Sequence, residues 1–211
     1  MNAAAALSAA AALAARCVAM AIEQFEDEGE ITPKVVLEAP TFVMVVWPAG
    51  ESGDLPAWAH RVIGTLGGVG GVTAAALMCE AWYTAAPAGP EPPHLEPGEL
   101  ARREAAGDTG VKTSVVIAAT DGTETVTDVR RPKLADDGTV GWQDDYGPRL
   151  SVTGRLPRLV TEALVHARAA TPAEVTGPLG LIDLAEYAKA LQKMAPLFDA
   201  EIALVALVVD E

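Results

Sequence analysis

Residues 111–129 read VKTSVVIAATDGTETVTDV. A run rich in β-branched side chains reaches an Asp121-Gly122 pair, and a second strand-like run, TETVTDV, follows it. An Asp-Gly pair between two such runs has the residue types favoured in a tight hairpin, so the stretch predicts two antiparallel strands. Antiparallel or mixed pairing is therefore the expectation for the whole sheet.

Downstream of the hairpin, Asp136-Asp137-Gly138 marks a turn, and TVGWQ and RLSVTG read as two shorter strands joined by Asp144-Asp145-Tyr146-Gly147. Upstream lies VTAAALMCEAWYTA, an apolar run after Gly71 that reads as a buried strand. Between it and the hairpin, residues 85–110 hold Pro87, Pro90, Pro92, Pro93 and Pro97. That proline density forbids both ladder pairing and helix, so an excursion with a short charged helix over Glu99 to Ala106 is expected. Further upstream, KVVLEAPTFVMVVW (34–47) reads as one strand entered through a bend at Pro40. Asp54 then caps a helix from Leu55 to Leu66, with Pro56 in its first turn and Gly67-Gly68 at its end.

The N-terminal stretch has apolar spacings of three and four through Leu7, Ala11, Ala14, Val18, Ile22 and Phe25, which predicts a helical stripe lying on its own domain. No Lys or Arg precedes this stretch and Arg16 follows it, which does not fit a secretory signal. From residue 156 the pattern is helical again, over Arg158 to Ala169 and Leu181 to Met194. The closing EIALVALVVDE is a strand by β-branching and a helix by continuity, and in either form it must be buried. The sequence thus predicts one α+β domain over 1–211. Its parts are an N-terminal helix (1–30), a mostly antiparallel or mixed sheet of five or six strands (31–155, with the excursion at 85–110), and a C-terminal helical part (156–211).

Composition narrows the function classes. With 15 basic and 29 acidic residues the chain carries a formal charge of −14, and half of it is apolar. The apolar fraction suffices for a core. The charge disfavours nucleic-acid phosphates and anionic membrane surfaces, and the pairs Arg102-Arg103 and Arg130-Arg131 are too few for a phosphate-binding stripe. Cys17 and Cys79 sit among apolar residues, the setting of inert buried thiols. No segment reaches the roughly 20 apolar residues of a membrane span. A cytoplasmic protein, or a component of a phage particle, is the expectation.

No motif for catalysis stands out. Gly64, Gly67, Gly68, Gly70 and Gly71 follow a helix and precede a strand, the reverse of a phosphate cradle, so they read as a helix stop and connector. Candidate catalytic residues are Glu80, His60 and Cys79, posed as a Cys–His pair with a carboxylate orienter. Candidate metal ligands are Asp136, Asp137, Asp144 and Asp145, although their spacing matches no calcium loop and turn chemistry is the preferred reading. Trp82, Tyr83 and His94 are candidate partner-binding residues, placed before or within the excursion. No cofactor is expected.

The succession of the EAW strand, the proline-rich acidic loop and VKTSVVIAATDGTETVTDV resembles uncharacterised proteins of bacteriophages and bacteria, over Gly71 to Arg131. The resemblance implies a phage or bacterial setting and carries no activity or functional residue. The leading expectation is a non-enzymatic binding or assembly protein, acting on a protein partner or a second copy of itself. The alternatives are a small hydrolase or metal-dependent enzyme near Glu80, His60 and the acidic turns, and an acidic mimic that blocks a nucleic-acid-binding protein.

Overall fold

The structure, a computed structural model, describes residues 7–28, 30–50, 53–84, 111–134, 140–144, 155–172, 176–179 and 181–207. In chain order its elements are α1 (Ala9–Glu28), β1 (Lys34–Ala39), β2 (Phe42–Pro48), α2 (Leu55–Leu66), β3 (Ala74–Thr84), β4 (Val111–Thr120), β5 (Thr125–Leu134) and β6 (Val140–Asp144), followed by α3 (Arg155–Ala170), α4 (Leu181–Met194), a 3-10 turn (Ala195–Phe198) and β7 (Ala200–Ala206). The strands form one sheet in the order β6-β5-β4-β3-β1-β2-β7, with every neighbouring pair antiparallel. The expected α+β class is present, with an N-terminal helix and with C-terminal helices that precede the last strand.

Among the described residues seven strands stand where five or six were expected, and two local readings explain the difference. Lys34–Trp47 is a hairpin and not a single bent strand: Ala39 pairs with Phe42, so Pro40 and Thr41 make the turn. Proline suits that place because its φ is already set for a turn. The ambiguous C-terminal run is strand β7. Pro196 follows the end of α4, and Asp199 adopts a left-handed φ of 49° that turns the chain back onto β2. The expected strand RLSVTG lies outside the described residues.

Helices cover both faces of the sheet. Val35, Leu37, Phe42, Met44, Leu77 and Ala118 pack with residues of α2, α3 and α4, while Val36, Val43, Ala76, Met78 and Ile117 pack with α1. Central strands buried on both faces need apolar residues in succession, which is why β1 and β3 read as continuous runs. β2, α2 and β3 form a crossover, since β2 and β3 run the same way with β1 between them.

The buried stripe of α1 differs from the expected one. Ala10, Leu13, Ala14, Cys17, Ala21 and Gln24 face the sheet, whereas Leu7 is 74% exposed. The face is rotated by about one residue because α1 lies over Ala74, Ala76 and Ala119, where small side chains on both sides permit close approach. Its docking partner is the sheet of its own chain. Across the sheet, Ala163 and Ala167 of α3 are likewise fully buried.

Polar fastenings also hold the helical layers to the sheet. The Arg168 guanidinium on α3 donates to the carbonyls of Asp121 (2.6 Å), Val72 (3.1 Å) and Thr73 (2.7 Å), joining the β4–β5 turn to the start of β3. Burial lowers the Arg168 pKa from its ordinary value, with Asp121 acting in the opposite direction. On the other face, Gln24 of α1 accepts from the Lys34 ammonium and donates to Glu28. Desolvation lowers the Lys34 pKa, opposed by the charge of Glu28.

Candidate functional site

The catalytic candidates do not assemble. Cys79 is buried in the layer facing α2 and α3, and Glu80, the next residue of β3, is directed to the opposite face. There its carboxylate accepts from the N–H of Ile31 at 3.2 Å, fastening the entry to β1. His60 lies on the exposed side of α2, among the helices that cover the Cys79 face. The Cys–His–carboxylate pose therefore fails because strand alternation separates Cys79 from Glu80 and helix rotation turns His60 outward. Burial, with a smaller contribution from Glu80, also pushes the Cys79 thiol up to about 12, far from the range of a reactive thiolate.

Asp136, Asp137, Asp145 and His94 lie outside the described residues. Asp144 ends β6 in register with Arg130, and Trp82 and Tyr83 lie opposite Thr113 and Lys112 in the β3–β4 ladder. Among the described residues no three His, Cys, Asp or Glu side chains gather in a way that could hold a metal ion.

A cleft of about 360 Å3 opens at the start of α2, lined by Gly53, Asp54, Trp58, Arg61 and Asp199 among others. Two of its polar groups serve the fold. The Asp54 carboxylate accepts from the N–H of Ala57 (3.0 Å), and the Trp58 indole donates to the Phe198 carbonyl (3.0 Å).

The feature that stands apart is the edge formed by β7. It pairs with β2 along seven consecutive residues, from Phe42↔Ala206 to Pro48↔Ala200, without a bulge. Two flanking bonds fix which way its backbone groups point. The Leu207 N–H donates to the Thr41 carbonyl (2.9 Å), and the Ala49 N–H donates to the Asp199 carbonyl (2.8 Å). Odd-numbered residues of β7 thus address β2, and alternation sends the N–H and C=O of Ala200, Ile202, Leu204 and Ala206 to the other side. Among the described residues no strand lies on that side.

Side-chain chemistry leaves this edge open. β7 reads AEIALVA: it has no proline and no lysine, and Glu201 is its single charge. Proteins usually blunt an edge strand with charge, proline, a bulge or shortness. The opposite edge strand, β6, is only five residues long, and its Trp142 ring meets Phe25 of α1 edge-on at 5.4 Å. On β7, Val205 is 55% exposed, and on the preceding 3-10 turn Leu197 is 73% exposed. The inner face of β7 is anchored, with Ala200 buried and Ile202 and Leu204 packed against the helical layer. The strand is held by β2 and by this packing, and presents one row of backbone donors and acceptors.

Sequence reasoning missed this site because the closing run could not be typed. The available signal was its β-branched composition together with a single charge and no proline.

No protein-family model matches the chain, and neither a curated protein nor a solved structure matches it. No helix among the described residues is long and apolar enough to cross a membrane.

Proposed function

We infer that this is a binding or assembly protein and that β7 is the strand to which a protein partner adds. The observation that supports this is the outward row of N–H and C=O groups on Ala200, Ile202, Leu204 and Ala206, in a strand of seven residues with no proline, no bulge and a single charge, Glu201. Strand addition to such an edge draws affinity from main-chain hydrogen bonds and selectivity from the alternate side chains. Val205, exposed on β7 itself, supplies apolar surface for that contact. The resemblance over Gly71 to Arg131 supports a phage or bacterial setting for that assembly.

Amide hydrogen exchange tests the reading directly, at a dilution where light scattering gives the mass of one chain. The amides of Ile202 and Leu204 are expected to exchange as fast as loop amides, while those of Ala203 and Val205 stay protected by β2. Equal protection of all four would mean that the edge is covered within the chain, and would overturn the reading.

A further inference from the structure

We propose that the strand added at β7 is the β7 of a second copy, antiparallel to the first about a two-fold axis through Ala203. This rests on the reading of β7 as the docking strand and goes further by naming its occupant and register.

The argument starts from alternation. Only Ala200, Ile202, Leu204 and Ala206 carry outward-facing backbone groups. Two identical strands related by a two-fold axis pair residue i with residue j at a constant sum of numbers, and hydrogen-bonded pairs must join outward-facing residues. A centre at Ala203 pairs Ala200 with Ala206 and Ile202 with Leu204, in both directions, so every outward group of both strands finds a partner. Moving the centre to Ile202 or Leu204 leaves an outward residue at one end without a counterpart in β7.

Side chains fit the same register. Glu201, the only charge in β7, lies opposite Val205 of the second copy, so two carboxylates do not meet. Ile202 lies opposite Leu204, giving apolar pairs on the face that carries α4. Ala203 lies opposite itself, where non-hydrogen-bonded neighbours come closest and two methyl groups meet without crowding. The two sheets then continue into one across the seam. The net charge of −14 on each copy opposes the approach, which keeps the association dependent on concentration and salt.

Cysteine scanning on the full chain reads the register. Residues of a non-hydrogen-bonded antiparallel pair have Cα atoms roughly 4.5 Å apart, inside the range a disulfide needs. Under mild oxidation, Ala203→Cys is expected to shift to a two-chain band on a non-reducing gel. Glu201→Cys alone and Val205→Cys alone are expected not to shift, whereas an equimolar mixture of the two is expected to. The wild type supplies the background, because Cys17 and Cys79 are buried. Failure of both Ala203→Cys and the mixture to cross-link, in variants with wild-type circular dichroism, would overturn the proposal. Cross-linking of Glu201→Cys alone as readily as Ala203→Cys would overturn it too. If the cross-links fail while Ile202 and Leu204 still exchange fast, self-pairing falls and strand addition by another protein stands. If that exchange contrast also fails, both fall.

Discussion

The N–H of Leu207 donates to the carbonyl of Thr41 at 2.9 Å, and this bond sets the direction of every backbone group in β7. It makes Val205 and Ala206 adjacent residues with opposite duties: the N–H of Val205 faces β2 and that of Ala206 faces outward. Proline therefore separates them. At a dilution where the chain is single, Ala206→Pro removes no bond to β2 and is expected to leave the urea midpoint near wild type, because proline is tolerated where the missing N–H faces solvent. Val205→Pro removes a ladder donor and leaves a carbonyl of β2 unsatisfied, at a cost of about 1–3 kcal/mol. Equal losses in the two variants would show that the alternation is misassigned.

Arg168 spends its guanidinium on three main-chain carbonyls, those of Asp121, Val72 and Thr73. Bonds from a charged donor contribute more than neutral ones, so Arg168→Ala is expected to lower stability by about 2–3 kcal/mol in urea titration. Arg168→Lys recovers only part of this, because an ammonium lacks the planar fork. A loss below about 0.5 kcal/mol, the range of ordinary surface changes, would contradict the assignment.

The connector after α2 makes a similarly local prediction. A Cβ at Gly68 would lie 2.6 Å from the carbonyl oxygen of Ala167 on α3, in backbone that is itself held in a helix. Gly68→Ala is expected to cost about 1–3 kcal/mol, measured as a fall in the thermal midpoint. Gly64→Ala provides the contrast, since nothing lies within 4 Å of a Cβ there. Replacing a helix-interior glycine, it is expected to be neutral or to stabilise by up to about 1 kcal/mol.

Local chemistry explains how far the sequence could be read. The Asp54 cap, Pro56 and Gly67 bound α2 at Leu55 and Leu66 as expected, and the Asp121-Gly122 turn forms with the Asp121 carboxylate accepting from Thr123 and Glu124. These features depend on residues a few positions apart. Pro132 shows the same locality: the β4–β5 ladder ends at Arg130, two residues before a position with no N–H to give. What sequence pattern could not supply was tertiary choice. The rotation of α1 toward its alanines follows from the alanines of β3 and β4, far along the chain, and β7 became a strand because β2 offers it an edge. The catalytic candidates failed for that reason as well, since Cys79 and Glu80 are neighbours in sequence and on opposite faces of the sheet.

Both thiols carry a pH signature. Burial is the largest cause pushing Cys17 and Cys79 from an ordinary value of 9.0 up to about 12. Below pH 9 the folded and unfolded chains both keep these protons, and the contribution to stability is complete. Between about 9 and 12 the unfolded chain releases protons that the folded chain retains, so stability falls as pH rises. Urea midpoints measured across that window are expected to decline, and less steeply in a Cys17→Ala, Cys79→Ala double variant. Iodoacetamide at pH 8 is expected to label neither thiol in the native protein and both in urea. Rapid native labelling of either would contradict its burial.

The central claim is that copies of this chain join through β7 with Glu201 opposite Val205. Light scattering over a concentration series, at about 0.15 M salt, tests it on the wild type and two variants of the exposed Val205. Val205→Glu sets two carboxylates against each other at both ends of the seam, and Val205→Lys sets an ammonium against each Glu201. The wild type is expected to rise from the mass of one chain toward that of two, Val205→Lys to rise at lower concentration, and Val205→Glu to stay at one. A wild type that keeps the mass of one chain throughout, or two variants that behave alike, would contradict it.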